Sequence, residues 1–250
     1  MPRITALEMP ARFGDPDRAV SLVRAALADE PPGDLVLLPE CALTGYVSPQ
    51  MDFDLSMFAE PLEGPTLAIY QRLARELRTH IAGPLIELAA EDVTPQGVRG
   101  ARYNAAIVVA PDGSIVAHYR KRHPWLPETW ASPGSFAYPS FELAGVVCTL
   151  AICFDLHFLE REAVATLGAT DVLLFPSAWV DEDDTDGRAV IFQRLRRKFG
   201  VSIVNANWGE GVPRLQGQGR SRIITATGSH EARALPGRAW SRVDADVSRK

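Results

Sequence analysis

Short runs of apolar residues recur along this whole chain, separated by longer stretches with helical spacing, and that rhythm restricts the fold more than any other feature. The runs fall at 4–9, 34–40, 80–88, 104–110, 114–121, 146–153, 171–177, 202–208, 220–227 and 239–246. Several, such as DLVLLPE and VVCTLAIC, are apolar almost throughout, as strands are when both faces of a sheet are covered. Between them lie four helical patterns. Residues 16–29 open on Asp15-Pro16, an N-cap followed by proline at the first helical position. Residues 65–78 open on Pro65 and put Leu67, Tyr70, Leu73 and Leu77 on one face. Residues 159–168 end at Gly168, a C-cap signal. Residues 187–199 carry Val190, Ile191, Arg194, Leu195 and Lys198 and end at Gly200. Pro111-Asp112-Gly113 joins two strand runs as a hairpin turn. The reading is an α/β fold with helices over sheet faces, in one domain spanning 1–250.

Composition excludes several classes. The net charge of −5 gives no basic face for nucleic acid. No run approaches the ~20 apolar residues of a membrane-spanning helix, and the N-terminus has no apolar stretch of signal-peptide length, so a cytoplasmic protein is expected. Cys41, Cys148 and Cys153 fit a reducing compartment. No His/Cys cluster has zinc-site spacing, so neither a metal nor another cofactor is expected. The acidic stretch 181–184 reads as a solvated loop ahead of a helix.

Three residues capable of chemistry each follow a strand run: Glu40 after DLVLLP, Lys121 after SIVAHYR and Cys153 after VVCTLAI. Ligands of open α/β sheets gather at the carboxyl ends of strands. Taken singly, each has an ordinary explanation. An isolated cysteine is usually buried packing, a glutamate at a strand end is usually solvated, and a lysine in Tyr-Arg-Lys-Arg-His usually belongs to a charged surface. Together they supply a thiol nucleophile, a carboxylate base and a cation for an oxyanion. Glu128 is placed to orient Lys121. Tyr46 either bonds a nearby carboxylate or packs. Trp125, Trp130 and Trp179 either wall a pocket or pack in the core. His123 and His157 are alternative bases for a Cys–His pair or structural histidines. Cys41 and Cys148 read as packing.

The segments LPECALTGY around Glu40, YRKRHPWLPE around Lys121 and CFDLHFLE at Cys153 resemble, in order and spacing, the nitrilase or carbon–nitrogen hydrolase superfamily. The likeness continues through FPSAW at 175–179 and Asn205-Ala206-Asn207. It implies a four-layer α-β-β-α sandwich, a Glu40–Lys121–Cys153 triad with Glu128 as a fourth, supporting residue, and an oxyanion contact from the Phe154 N–H. It also implies homodimers or higher homo-oligomers built on the 159–168 and 187–199 segments. Two positions depart from the usual Cys-Tyr-Asp-Leu-Arg-Phe-Pro-Glu: His157 stands for the arginine and Leu159 for the proline. Cys-Phe-Asp differs from the Cys-Trp-Glu of true nitrilases. The expected activity is therefore hydrolysis of a small amide or N-carbamoyl compound through a thioester. Nitrile hydrolysis, acyl transfer to another nucleophile, or a catalytically silent binding protein of the same fold are the alternatives.

Overall fold

The computed structural model describes all residues except 29, 94–96, 98, 182–184, 212 and 235. Two sheets stack face to face with helices on their outer sides, so the layers run α-β-β-α. The first sheet contains β1 (Arg3–Pro10), β2 (Leu35–Leu37), β3 (His80–Val93), β4 (Arg99–Val109), β5 (Ile115–Arg120), β10 (Trp208–Gly209), β13 (Arg233–Ala234) and β14 (Ser241–Asp246). Its order is β13-β14-β1-β2-β3-β4-β5, with β10 beside the end of β1. The second contains β6 (Ser140–Leu143), β7 (Val146–Leu150), β8 (Val172–Pro176), β9 (Ser202–Ala206), β11 (Arg222–Thr225) and β12 (Gly228–Glu231), in the order β12-β11-β9-β8-β7-β6.

The unbroken apolar runs are explained by this layering. Every residue of β2, β8 and β9 is buried. Successive side chains of a strand point to opposite faces. Ile4, Ala6, Leu35 and Leu37 thus join the core shared with the second sheet. Leu7, Met9, Val36 and Leu38 pack under α1 (Pro16–Ala28) and α2 (Pro65–Leu77). Asp15 Oδ1 caps α1 by accepting the Arg18 N–H at 2.9 Å. On the far side α5 (Gly187–Phe199) buries Ile191, Phe192 and Leu195 and stops at Gly200 in the left-handed conformation, φ 70°.

Strand direction sets up the site. β1, β2 and β3 are mutually parallel, and two antiparallel steps through β4 return β5 to the same direction. β7, β8 and β9 are parallel to one another. After Asn207, the chain leaving β9 pairs in parallel with β1 as β10, so both sheets present their carboxyl ends on one rim. Among the described residues no helix is long and apolar enough to cross a membrane.

Several expectations need correction. The 159–168 helix is two pieces, α3 (Leu159–Glu162) and α4 (Val164–Ala169), with a break at Ala163. Gly168 lies inside α4, and the chain leaves through Thr170, whose hydroxyl donates to the Thr166 carbonyl at 2.8 Å. Leu159, Ala163 and Leu167 still face the core at four-residue spacing. In α5 the buried face is Arg188, Ile191, Phe192 and Leu195, while Val190 is 60% exposed. Arg188 is fully buried on that face, although an arginine near a helix start ordinarily faces solvent. Asp181 is not solvated: it is buried and accepts the Trp179 indole N–H at 2.6 Å. The rest of the acidic stretch lies outside the described residues. Strands β6, β12 and β13 had no counterpart among the apolar runs; β12 and β13 are exposed throughout.

Candidate active site

Glu40, Lys121 and Cys153 converge on the shared rim. Glu40 sits three residues beyond β2, Lys121 directly after β5, and Cys153 three residues beyond β7. Lys121 Nζ donates to Glu40 Oε1 at 2.8 Å and to Glu128 Oε2 at 2.8 Å. Asn104, from the middle of β4, ties the two carboxylates together: its Nδ2 donates to Glu40 Oε1 and to Glu128 Oε1, both at 2.7 Å. The Ala178 N–H reaches Glu40 Oε2 at 2.8 Å and the Trp125 N–H reaches Glu128 Oε2 at 2.6 Å. The Trp208 indole holds the Glu40 carbonyl at 2.8 Å. Glu40 and Lys121 are fully buried and Glu128 is 2% exposed. Buried charges need partners on every side, and this cluster supplies them.

The cluster's electrostatics follow from that geometry. Burial opposes the Lys121 ammonium, yet Glu128 and Glu40 hold its pKa well above the ordinary lysine range. Burial raises Glu128 against the lowering effect of Lys121. The Cys153 thiol is pushed well up by burial and then by the Glu40 charge, with Lys121 pulling it back only in part. The Cys153 thiol therefore holds its proton more tightly than an exposed cysteine does.

Cys153 is also strained. Its φ is +44°, a region that non-glycine residues rarely occupy, and such backbone gathers at functional sites at a cost of about 1–3 kcal/mol. Asp155 holds the turn. Its Oδ2 accepts the Ile152 N–H at 3.1 Å and the Tyr119 hydroxyl at 2.8 Å, and its Oδ1 accepts the His123 N–H at 3.0 Å. One carboxylate thus joins the residue before Cys153 to residues two before and two after Lys121. Burial raises its pKa to about 6.

Above the thiol lies a small cavity of about 70 Å³ walled by Tyr46, Trp125, Phe154, His157 and Trp179. Tyr46 stacks on Trp125 and His157 on Trp179. The Tyr46 hydroxyl is buried with no hydrogen-bond partner among the described residues, so of the two alternatives the ring packs and does not bond a carboxylate. Trp130 packs beside the cavity rather than on it. His123 is turned away, bonded to Glu162 at 2.9 Å and stacked on Phe158. Cys41 and Cys148 are buried and free, as packing requires.

A second buried network supports the wall. Asn207 Oδ1 accepts the Trp179 N–H at 2.9 Å and the Ser177 hydroxyl at 3.0 Å, while its Nδ2 reaches the carbonyls of Gly217 and Gly219 at 2.8 and 2.9 Å. Asn205 bonds Ser177 and receives Arg188 Nη1 at 3.1 Å. Arg188 is fully buried and also meets Asp186, which in turn pairs with Arg222. Sequence reasoning passed over Asn104, Asp155 and Arg188. The available signal was a polar residue set in or beside an otherwise apolar run.

Known proteins share this architecture. A family model described as carbon-nitrogen hydrolase matches residues 14–237. A formamidase from Allorhizobium ampelinum is 27% identical over 179 residues, covering 68% of this chain and 49% of that protein. The chain spans 49%, 60% and 65% of the length of three such curated relatives. Among solved structures, a nitrilase-superfamily amidase from Nesterenkonia superposes with a TM-score of 0.75 at 22% identity, covering 97% of this chain and 90% of that one. A nitrilase-superfamily protein of Saccharomyces cerevisiae gives 0.76 at 19% identity, with 97% and 90% covered.

Proposed function

Because the chain belongs to the carbon–nitrogen hydrolase family, we propose that it hydrolyses the C–N bond of a small amide or N-carbamoyl compound through a thioester on Cys153. The observation that carries this reading is a buried thiol set against a lysine clamped between two carboxylates, at the foot of an aromatic cavity.

Glu40 takes the proton from Cys153 Sγ, and the thiolate attacks the carbonyl carbon. The oxyanion is held by Lys121 Nζ and by the Phe154 N–H. Phe154 lies in the first turn of the short 3₁₀ helix Cys153–His157, where N–H groups lack an intrahelical acceptor. The C–N bond breaks as Glu40 passes its proton to the leaving nitrogen, which departs as ammonia or an amine. Glu40 then deprotonates water. The hydroxide attacks the thioester, the C–S bond breaks, and the proton returns to sulfur as the acid leaves. Glu128 fixes Lys121, and Tyr46 and Trp179 shape the space for the acyl group. Splitting the reaction in two lowers each barrier, and a preorganised oxyanion donor of this kind is worth about 10²–10³ in rate.

We further propose a cytoplasmic homodimer joined through α3–α4 and α5, whose outer faces expose Val164 and Val190. Light scattering reads the oligomer directly. The hydrolase reading is tested by ammonia release from a panel of small amides and N-carbamoyl compounds, with intact-mass detection of acylated Cys153. Wild type should turn over at least one compound and Cys153→Ala none. Equal release by both proteins would sink the nucleophile assignment.

A further inference from the structure

We infer that the site is built for amides with a short acyl chain that carries no negative charge, and that a neutral side chain at position 157 preserves this preference. The inference rests on the amide-hydrolase reading and names its substrate class.

Size comes first. A cavity needs roughly 10–15 Å³ of such volume per water. The 70 Å³ over Cys153 therefore holds about five water-sized positions, the room of an acyl group with four or five non-hydrogen atoms.

Charge comes second. None of the side chains lining the cavity carries a formal charge at neutral pH. His157, the one titratable wall that could turn cationic, is held below the ordinary histidine range by partial burial and by the Arg194 charge. The cation beneath the cavity is already matched, since Lys121 meets both Glu40 and Glu128. Arg188, behind Trp179, is fully buried and engaged by Asp186, Asn205 and two carbonyls. Arg194 pairs with Glu160. A substrate carboxylate entering this space would shed water and meet no uncommitted cation among the described residues that line or back the cavity, which is strongly unfavourable. Among the described residues the Tyr46 hydroxyl is a buried side-chain group of the wall without a hydrogen-bond partner, and a neutral carbonyl or amide group would satisfy it.

His157 is the decisive wall because it stacks flat on Trp179 at 5.4 Å, at the edge of the cavity next to the nucleophile's own turn. A longer cationic side chain there would place a charge where the substrate chain ends.

Two measurements test this on the whole protein. The first compares alkylation of Cys153 by iodoacetamide and by iodoacetate, read by peptide mass spectrometry and normalised to free glutathione. The neutral reagent should be favoured by roughly 30-fold or more. His157→Arg should shrink that ratio at least about fivefold, and His157→Gln, which stays neutral, should keep it. Iodoacetate reacting as fast as iodoacetamide in the wild type, or an unchanged ratio in His157→Arg, would overturn the inference. The second compares hydrolysis of isovaleramide and malonamate, whose acyl groups match in size and branching and differ in that malonamate ends in a carboxylate. Isovaleramide should be preferred by a similar factor. Turnover of malonamate at the isovaleramide rate refutes the charge-free pocket while leaving hydrolysis standing. A strong iodoacetamide preference with no turnover of any amide does the reverse: it upholds the pocket and removes the hydrolase reading.

Discussion

Two clusters of buried charge lie on the same rim, and the one we propose for catalysis differs from the other in kind. In the first, Lys121 faces Glu40 and Glu128. In the second, Arg188 and Arg222 face Asp186, with Glu8 close enough to feel both guanidiniums. Both contain a fully buried cation. The arginine cluster is balanced, and every arm of Arg188 ends on an acceptor: Asp186, Asn205 and the carbonyls of Gly217 and Gly219. Arginine does not release its proton in proteins. The lysine cluster has one cation for two carboxylates, and it abuts a thiol and a cavity. Burial of charge alone therefore does not mark an active site. Unequal charge, transferable protons and open space beside them do.

The largest test exchanges the roles of the two cations. Lys121→Met should lower the rate of Cys153 acylation by about 10³. Its fold should survive, because burial already raises the Glu128 pKa and that carboxyl can take up a proton. Arg188→Met should do the opposite. It orphans Asn205 Oδ1, leaves Asp186 with Arg222 alone and takes one of two donors from the Gly217 and Gly219 carbonyls, and losing one partner from such a network costs about 3–5 kcal/mol. The folded fraction should still react with iodoacetamide. Urea midpoints and burst-phase acylation on both variants decide the matter. If Arg188→Met silences the folded enzyme while leaving stability intact, the contrast between the clusters is wrong.

A smaller effect is expected at Asn207, which connects the two clusters. Its Oδ1 holds the Trp179 N–H and the Ser177 hydroxyl, and Ser177 O in turn accepts the Glu40 N–H. Asn207→Ala leaves those donors unpaired, and a misplaced wall and base should reduce kcat/KM by roughly tenfold. Rescue by Asn207→Asp, which keeps an acceptor at Oδ1 but loses the donors to Gly217 and Gly219, should be incomplete. Full activity in Asn207→Ala would show that the arginine cluster does not support the site at all.

The sequence made the two clusters unequally legible, for a physical reason. Glu40, Lys121 and Cys153 each follow a strand, so the strand rhythm and the rule about carboxyl ends located them before any contact was known. Their surrounding segments, LPECALTGY and CFDLHFLE, then carried the family. Arg188 had no such signal. It lies one residue into a helix whose polar residues looked like a solvated face, and its partners come from β9 and from the loop at 217–219, far apart in the chain. Asn104 was hidden in plain view at the head of NAAIVVA, where a lone polar residue in a buried strand had to be paired with something. The break at Ala163 left no trace either, since Leu159, Ala163 and Leu167 keep the four-residue spacing of a continuous helix.

Asp155 belongs to neither cluster and gives the smallest effect. It is buried and titratable like the lysine cluster, yet saturated by hydrogen bonds like the arginine cluster. Its pKa of about 6 lies above the 3.8 of an exposed aspartate, so the folded state holds the proton more tightly than the unfolded chain. Its proton-linked stability is fully present below the lower value and is lost as pH rises through the higher one. Between pH 5 and pH 7 the loss should be about 1 kcal/mol. Over that interval the wild type should therefore weaken relative to Asp155→Asn, which cannot ionise, by that amount in the unfolding free energy read from urea titrations. Ionisation should favour activity even as it costs stability, because only the carboxylate accepts from Ile152, His123 and Tyr119 together. The kcat/KM of the wild type should then fall as pH drops through about 6, and that limb should be missing in Asp155→Asn. If the limb persists there unchanged, the proton belongs to the lysine cluster, and Asp155 is as inert as Arg188.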